Sequence, residues 1–133
     1  MRKLTRSVLL AGIAGAVLAP STAHAATPEP TTALLGTYGF GRAAVIGEAG
    51  RTAGTWEAFS VRSGFAGDDL IVTYRPRTTA YPTEKQVYTA AFDQVPDAQA
   101  ECRQVGAEGV ARRVWVSFRC RTGFAPSYTL FVR

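Results

Sequence analysis

Apolar and polar positions alternate along much of residues 31–133, and 3.6-residue periodicity is scarce. In RRVWVSFRC, Val114, Val116, Phe118 and Cys120 share one face, while Trp115, Ser117, Arg119 and Arg121 share the other. In AQAECRQV, Ala98, Ala100 and Cys102 alternate with Gln99, Glu101 and Arg103. Leu70, Val72 and Tyr74 line up in one stretch, as do Tyr128, Leu130 and Val132 in another. The segments GEAG and GAEG read as breaks between strands. The pattern predicts an all-β domain, an antiparallel β-sandwich or barrel of about seven to eight short strands.

The strands come in a repeated order. WEAFSVRSGFA, from Trp56, and WVSFRCRTGFA, from Trp115, agree at seven of eleven positions, counting one Ser/Thr exchange, at an offset of 59 residues. Upstream the same offset sets Gly47 on Gly106 and Gly50 on Gly109. After a one-residue gap, DLIVTYR from Asp69 lies on SYTLFVR from Ser127. TYGF from Thr37 can be set on TAAF from Thr89 if the second copy carries seven extra residues. We read two homologous units, about 34–75 and 86–133, joined by a linker near 75–85. A four-stranded unit of ~45 residues would bury too little to be stable alone, so the two are expected to share one core in a single domain, 26–133.

The N-terminus has the grammar of a secretory signal peptide over residues 1–25. Arg2, Lys3 and Arg6 precede the apolar VLLAGIAGAVLA, and Ala23-His24-Ala25 supplies an A-x-A cleavage site. The apolar run is shorter than the ~20 residues that span a bilayer, so no membrane anchor is expected. Secretion with cleavage after Ala25 changes the composition. Twelve of the 15 cations remain, against 10 carboxylates, which lowers the net charge from +5 to +2. The basic pI therefore gives no support to a nucleic-acid partner. The only histidine, His24, departs with the leader, which excludes Ser-His-Asp, Cys-His and His-ligated zinc chemistry.

The offset of 59 sets Cys102 on Ala43 and Cys120 on Val61. Two cysteines on inward positions of neighbouring strands in an exported chain are expected to pair as a structural disulfide. Two thiolates without histidine make a poor metal site, and the pair lacks the close spacing of a redox motif. The run Ala100-x-Cys102, Val114-x-Val116-x-Phe118-x-Cys120, Gly123 and Ser127-Tyr128-Thr129 resembles the tandem β-rich units (A-x-C, V-x-V-x-C, G, S-[FY]-T) of exported proteins of high-GC Gram-positive bacteria. The resemblance implies a fold and a compartment and transfers no catalytic residue.

Candidates for chemistry are few. Trp56 and Trp115 fall on the polar side of the alternation beside Arg62, Arg119 and Arg121, which makes these five the candidate binding residues. The connector carrying Arg75, Arg77, Tyr81 and Lys85 is the candidate exposed loop. Asp68-Asp69 could hold calcium beside a turn, but reads better as a solvated turn, and no metal or cofactor is expected. The expected function is a secreted, non-enzymatic binding protein whose partner is an extracellular protein or a cell-wall polymer. The alternatives are an inhibitor of an extracellular protease acting through the 75–85 loop, a small hydrolase using carboxylates, and a structural envelope component.

Overall fold

The computed structural model describes residues 28–123 and 126–133. The residues of the expected signal peptide lie outside this range. The fold is β-rich but not all-β. Strand β1 (Thr31–Tyr38), helix α1 (Arg42–Ala53), β2 (Ala58–Ser63) and β3 (Asp68–Tyr74) are followed by β4 (Lys85–Ala90), α2 (Ala98–Ala111), β5 (Phe118–Thr122) and β6 (Tyr128–Val132). The strands form two antiparallel three-stranded sheets, β1-β3-β2 (sheet A) and β4-β6-β5 (sheet B). Among the described residues there are thus six strands and two helices, with no closed barrel, in place of the expected seven or eight strands.

Three segments, one expected as a strand and two as breaks, are helical. AQAECRQV lies in α2, where Ala98, Cys102 and Val105 recur at i, i+4 and i+7 on the buried face, while Ala100 is exposed. Asp97 caps the helix by accepting from the Ala100 amide at 2.9 Å. GEAG and GAEG sit inside α1 and α2. A glycine costs a helix about 1 kcal/mol relative to alanine, which is why the segments read as breaks. Packing overrides that cost. The space a Cβ would take at Gly47 is filled by the ring of Phe59, and at Gly106 by that of Phe118. Trp56 fills the same space at Gly50, and Trp115 at Gly109. Helix α1 ends at Gly54, whose φ of 76° is the left-handed cap that glycine adopts without strain.

The strand faces of β3 and β6 follow the alternation. Leu70, Val72 and Tyr74 are buried, as are Leu130 and Val132. Val114 and Trp115 are both buried although adjacent, because β5 starts only at Phe118 and the residues before it are irregular, with Arg113 at φ 62°. Register revises one alignment. Phe59 pairs with Val72 and Phe118 with Val132, so β3 and β6 correspond at an offset of 60, an insertion in the second β-hairpin where a deletion was expected. A two-residue slip keeps every side chain on its face, so alternation could not detect it. Thr37 and Thr89 do correspond: they pair with Asp69 and Thr129, and both first strands carry a bulge, at Leu34/Gly36 and Gln86/Tyr88.

The two halves share one core. Helix α1 packs on β2 and β3 and reaches β4 of the other half, while α2 packs on β5 and β6 and reaches β1. Trp56 and Trp115 meet with ring centroids 6.3 Å apart. Arg42 and Glu101, which occupy the same position of the two helices, pair in the interior. Arg42 donates from Nε at 3.0 Å and Nη2 at 2.9 Å, and Tyr88 adds its hydroxyl to Glu101 at 3.2 Å. A second buried hydroxyl, that of Tyr38, donates to Glu108. The Glu108 carboxylate occupies the room left by Gly36.

Candidate functional site

The residues singled out in the sequence separate into core and surface. Trp56 and Trp115 are 2% and 1% exposed, and each indole Nε1 donates to a carbonyl of its own helix, Gly47 at 2.7 Å and Gly106 at 2.9 Å. They form no accessible platform, which corrects their expected place on the polar faces. They precede β2 and β5 by two and three residues, so strand alternation does not apply to them. Arg62 lies on the outer face of sheet A and is tied to Asp69 at 3.1 Å, while Thr37 donates to the same carboxylate at 2.6 Å. These bonds, Thr37 first, hold the Asp69 carboxyl below the usual carboxylate range.

Arg119 and Arg121 stand on the outer face of sheet B, and their guanidinium carbons lie 5.9 Å and 5.5 Å from the centre of the Phe131 ring between them. Gln86, Phe131 and Arg119 form one cross-strand row, and Thr89, Thr129 and Arg121 form the next. Glu84 accepts from Arg119, and Arg133 borders the same face, donating to the Pro82 carbonyl at 2.8 Å. The five candidate binding residues are therefore not brought together. Two meet on sheet B, one lies on sheet A and two lie in the core.

The connector between β3 and β4 is fastened rather than free. Arg75 bonds Glu57 at 2.8 Å and the Pro28 carbonyl at 2.9 Å, and the Arg77 amide donates to the Arg113 carbonyl at 2.8 Å. Arg77 lies 3.7 Å above the Tyr81 ring, with Lys85 Nζ 4.6 Å away from the same ring. Its crest, Thr78–Ala80, is exposed between these clamps, as are Pro82 and Thr83 beyond Tyr81.

A further surface had no place in the sequence reading. Phe40, in the β1–α1 turn, and Phe65, in the β2–β3 hairpin, leave the same end of sheet A, where Tyr38, Asp68 and Ser63 are in register. Phe92 follows β4 at the corresponding end of sheet B. All three are exposed, Phe65 completely and the others by more than half. A hollow of about 340 Å³ lined by Gly39, Ala66, Val95 and Pro96 adjoins another of about 320 Å³ lined by Phe92, Val95, Pro96 and Pro126. A signal for this surface exists in the chain. Phe40 and Phe65 sit between or beside glycines, in GFG and GFAG, which mark turns and not strand interiors.

Asp68 and Asp69 serve the backbone and the ion pair: the Gly41 amide donates to Asp68 at 2.8 Å. Among the described residues no three His, Cys, Asp or Glu side chains converge as a metal site, and no helix is long and apolar enough to cross a membrane. Cys102 of α2 and Cys120 of β5 form a disulfide with Cα atoms 6.1 Å apart. No protein-family model matches this chain, and no curated protein or solved structure matches it either.

Proposed function

We propose that this chain is an exported, non-enzymatic binding protein built from two homologous βαββ units, and that it docks a protein partner at the end carrying Phe40, Phe65 and Phe92. The observation that carries this reading is the exposure of three phenylalanines on turns that leave one end of both sheets. Each gives up burial of a large apolar surface, so a partner that covers them gains it. Large aromatics on short turns of a stapled scaffold lose little freedom on binding. Export is supported by the leader-like N-terminus and the disulfide. A non-enzymatic role is supported by the absence of histidine after His24 and by the structural engagement of Glu101, Glu108, Asp68 and Asp69.

The test is capture from the producing cell's culture medium by the full chain, made in an exporting host and purified oxidised. A protein retained by wild type and by Arg62→Gln, but lost with Phe40→Ser/Phe65→Ser/Phe92→Ser, supports the reading. Retention that survives the triple variant refutes it. The clamped 75–85 connector keeps the inhibitor reading as the second choice, because a loop held at Arg75, Arg77 and Tyr81 enters a protease cleft already ordered. In that case substitutions at Thr78–Ala80, and not at the phenylalanines, release the captured protein.

A further inference from the structure

The two sheets present their outer faces in the same register, and one serves as a control for the other. In sheet A, Leu34, Ile71 and Ser60 form one cross-strand row, and Thr37, Asp69 and Arg62 form the next. The corresponding rows of sheet B are Gln86, Phe131 and Arg119, then Thr89, Thr129 and Arg121. Sheet A therefore shows a neutral face, with its only guanidinium tied to Asp69. In sheet B the acid is replaced by Thr129, which bonds Thr89 at 2.9 Å instead, and the serine by a second arginine. The aliphatic Ile71 is replaced by Phe131. The fold is the same in both places, so neither the charge nor the ring is needed to make it.

Charge on sheet B is unbalanced. Arg119, Arg121 and Arg133 all act on the Glu84 carboxylate, and of the three Arg119 is the one that forms an ion pair with it. The bond from Arg119 comes first in holding the Glu84 carboxyl below its usual range, and the attraction of all three cations adds to it. No carboxylate among the described residues pairs with Arg121. Arginine offers planar, paired N–H donors to carboxylate or phosphate, and does so best when no internal acid competes. Arg121 meets that condition, while Arg119 engages Glu84 through Nη2 and has its remaining N–H groups to offer. Phe131, half-buried at the middle of this face, offers a flat apolar surface on which the C–H face of a sugar ring can rest. Arg119 and Arg121 are two residues apart on β5, so their side chains leave the strand about 7 Å apart, along the direction an extended polymer would follow.

We propose that the outer face of sheet B binds an anionic glycan, with a sugar ring against Phe131 and its carboxylate or phosphate groups on Arg119 and Arg121. This site is independent of the phenylalanine end and stands if the protein-partner reading fails. The full chain, purified oxidised, is titrated by calorimetry with polygalacturonate, with a poly(N-acetylglucosamine 1-phosphate) teichoic acid, with neutral dextran and with poly-glutamate.

Binding to at least one of the first two, and not to dextran, is expected, and the preferred one names the anion. Arg119→Gln/Arg121→Gln and Phe131→Ala should each weaken that binding at least 10-fold. Arg121→Gln alone, which disturbs no ion pair, should weaken it several-fold. Arg62→Gln and the triple phenylalanine variant should leave it unchanged. Three results would overturn the proposal: no binding to either glycan, an equal loss with Arg62→Gln, or tighter binding to poly-glutamate that ignores Phe131→Ala. The last would make the face a plain cationic patch for acidic peptides.

Discussion

At the scale of single residues, the buried pair Arg42–Glu101 makes the fold sensitive to the loss of either partner. Both side chains are under a tenth exposed, and the pair is completed by the Tyr88 hydroxyl. Removing one partner leaves a charge without a counter-ion in the core, at a cost of about 3–5 kcal/mol. A small domain has only about 5–15 kcal/mol in total. Arg42→Met and Glu101→Leu are therefore each expected to lower the urea midpoint sharply, and the double variant to recover most of the loss. Burial, and then the nearby carboxylates, raise the Tyr38 and Tyr88 hydroxyls well above their usual pKa. The folded chain keeps those protons while the unfolded chain releases them near pH 10, so stability is level below that pH and falls above it. The expected slope is up to about 1.4 kcal/mol per pH unit for each tyrosine. Urea unfolding between pH 8 and 11 measures it, and Tyr88→Phe should make it shallower. None of this pairing was legible in the chain. Alternation set Glu101 on a polar strand face, whereas helix α2 turns it inward beside Cys102.

At the scale of elements, the two helices are built from small residues and so hide their own periodicity. Ala43, Ile46, Gly47 and Gly50 lie on the buried side of α1, and Ala98, Cys102, Val105, Gly106 and Gly109 on that of α2. Faces this thin give a faint helical signal, and their glycines read as breaks. Asp97, which accepts from the Ala100 amide, is a local helix-start residue that strand alternation does not register. Aromatic rings from outside each helix fill the missing volume. On an exposed helix, Gly→Ala would gain about 1 kcal/mol. At Gly50 and Gly109 the methyl would enter the ring of a buried tryptophan, and overpacking costs about 1–3 kcal/mol. Gly50→Ala and Gly109→Ala are thus expected to lower the melting temperature in spite of their helix propensity, with tryptophan fluorescence as the local readout. Strands β3 and β6 were legible because they are central and half-covered, the setting in which alternation reports burial directly.

At the scale of the whole molecule, each helix bridges its own sheet and the first strand of the other, and the tryptophans meet where the halves join. The second half alone carries the covalent tie from α2 to β5. Closing a loop with a sequence separation of 18 residues is worth about 3 kcal/mol. Cys102→Ala/Cys120→Val, which copies the Ala43 and Val61 of the first half, should reduce unfolding free energy by about that amount and leave near-UV circular dichroism native. The sequence by itself determined that Gly47, Gly50, Trp56 and Phe59 match Gly106, Gly109, Trp115 and Phe118, which faces of the central strands turn inward, and, there being two cysteines, their pairing. The match of β3 to β6 it set two residues out of register. Tertiary structure alone decided that glycine-bearing segments become helices, that the tryptophans go inside, and that Phe131 joins Arg119 and Arg121 on a face apart from Arg62. The physical reason is the same in each case. Burial of a ring against a glycine, or neutralisation of an arginine by an acid on the next strand, depends on a residue distant in sequence, and no window along the chain contains both partners.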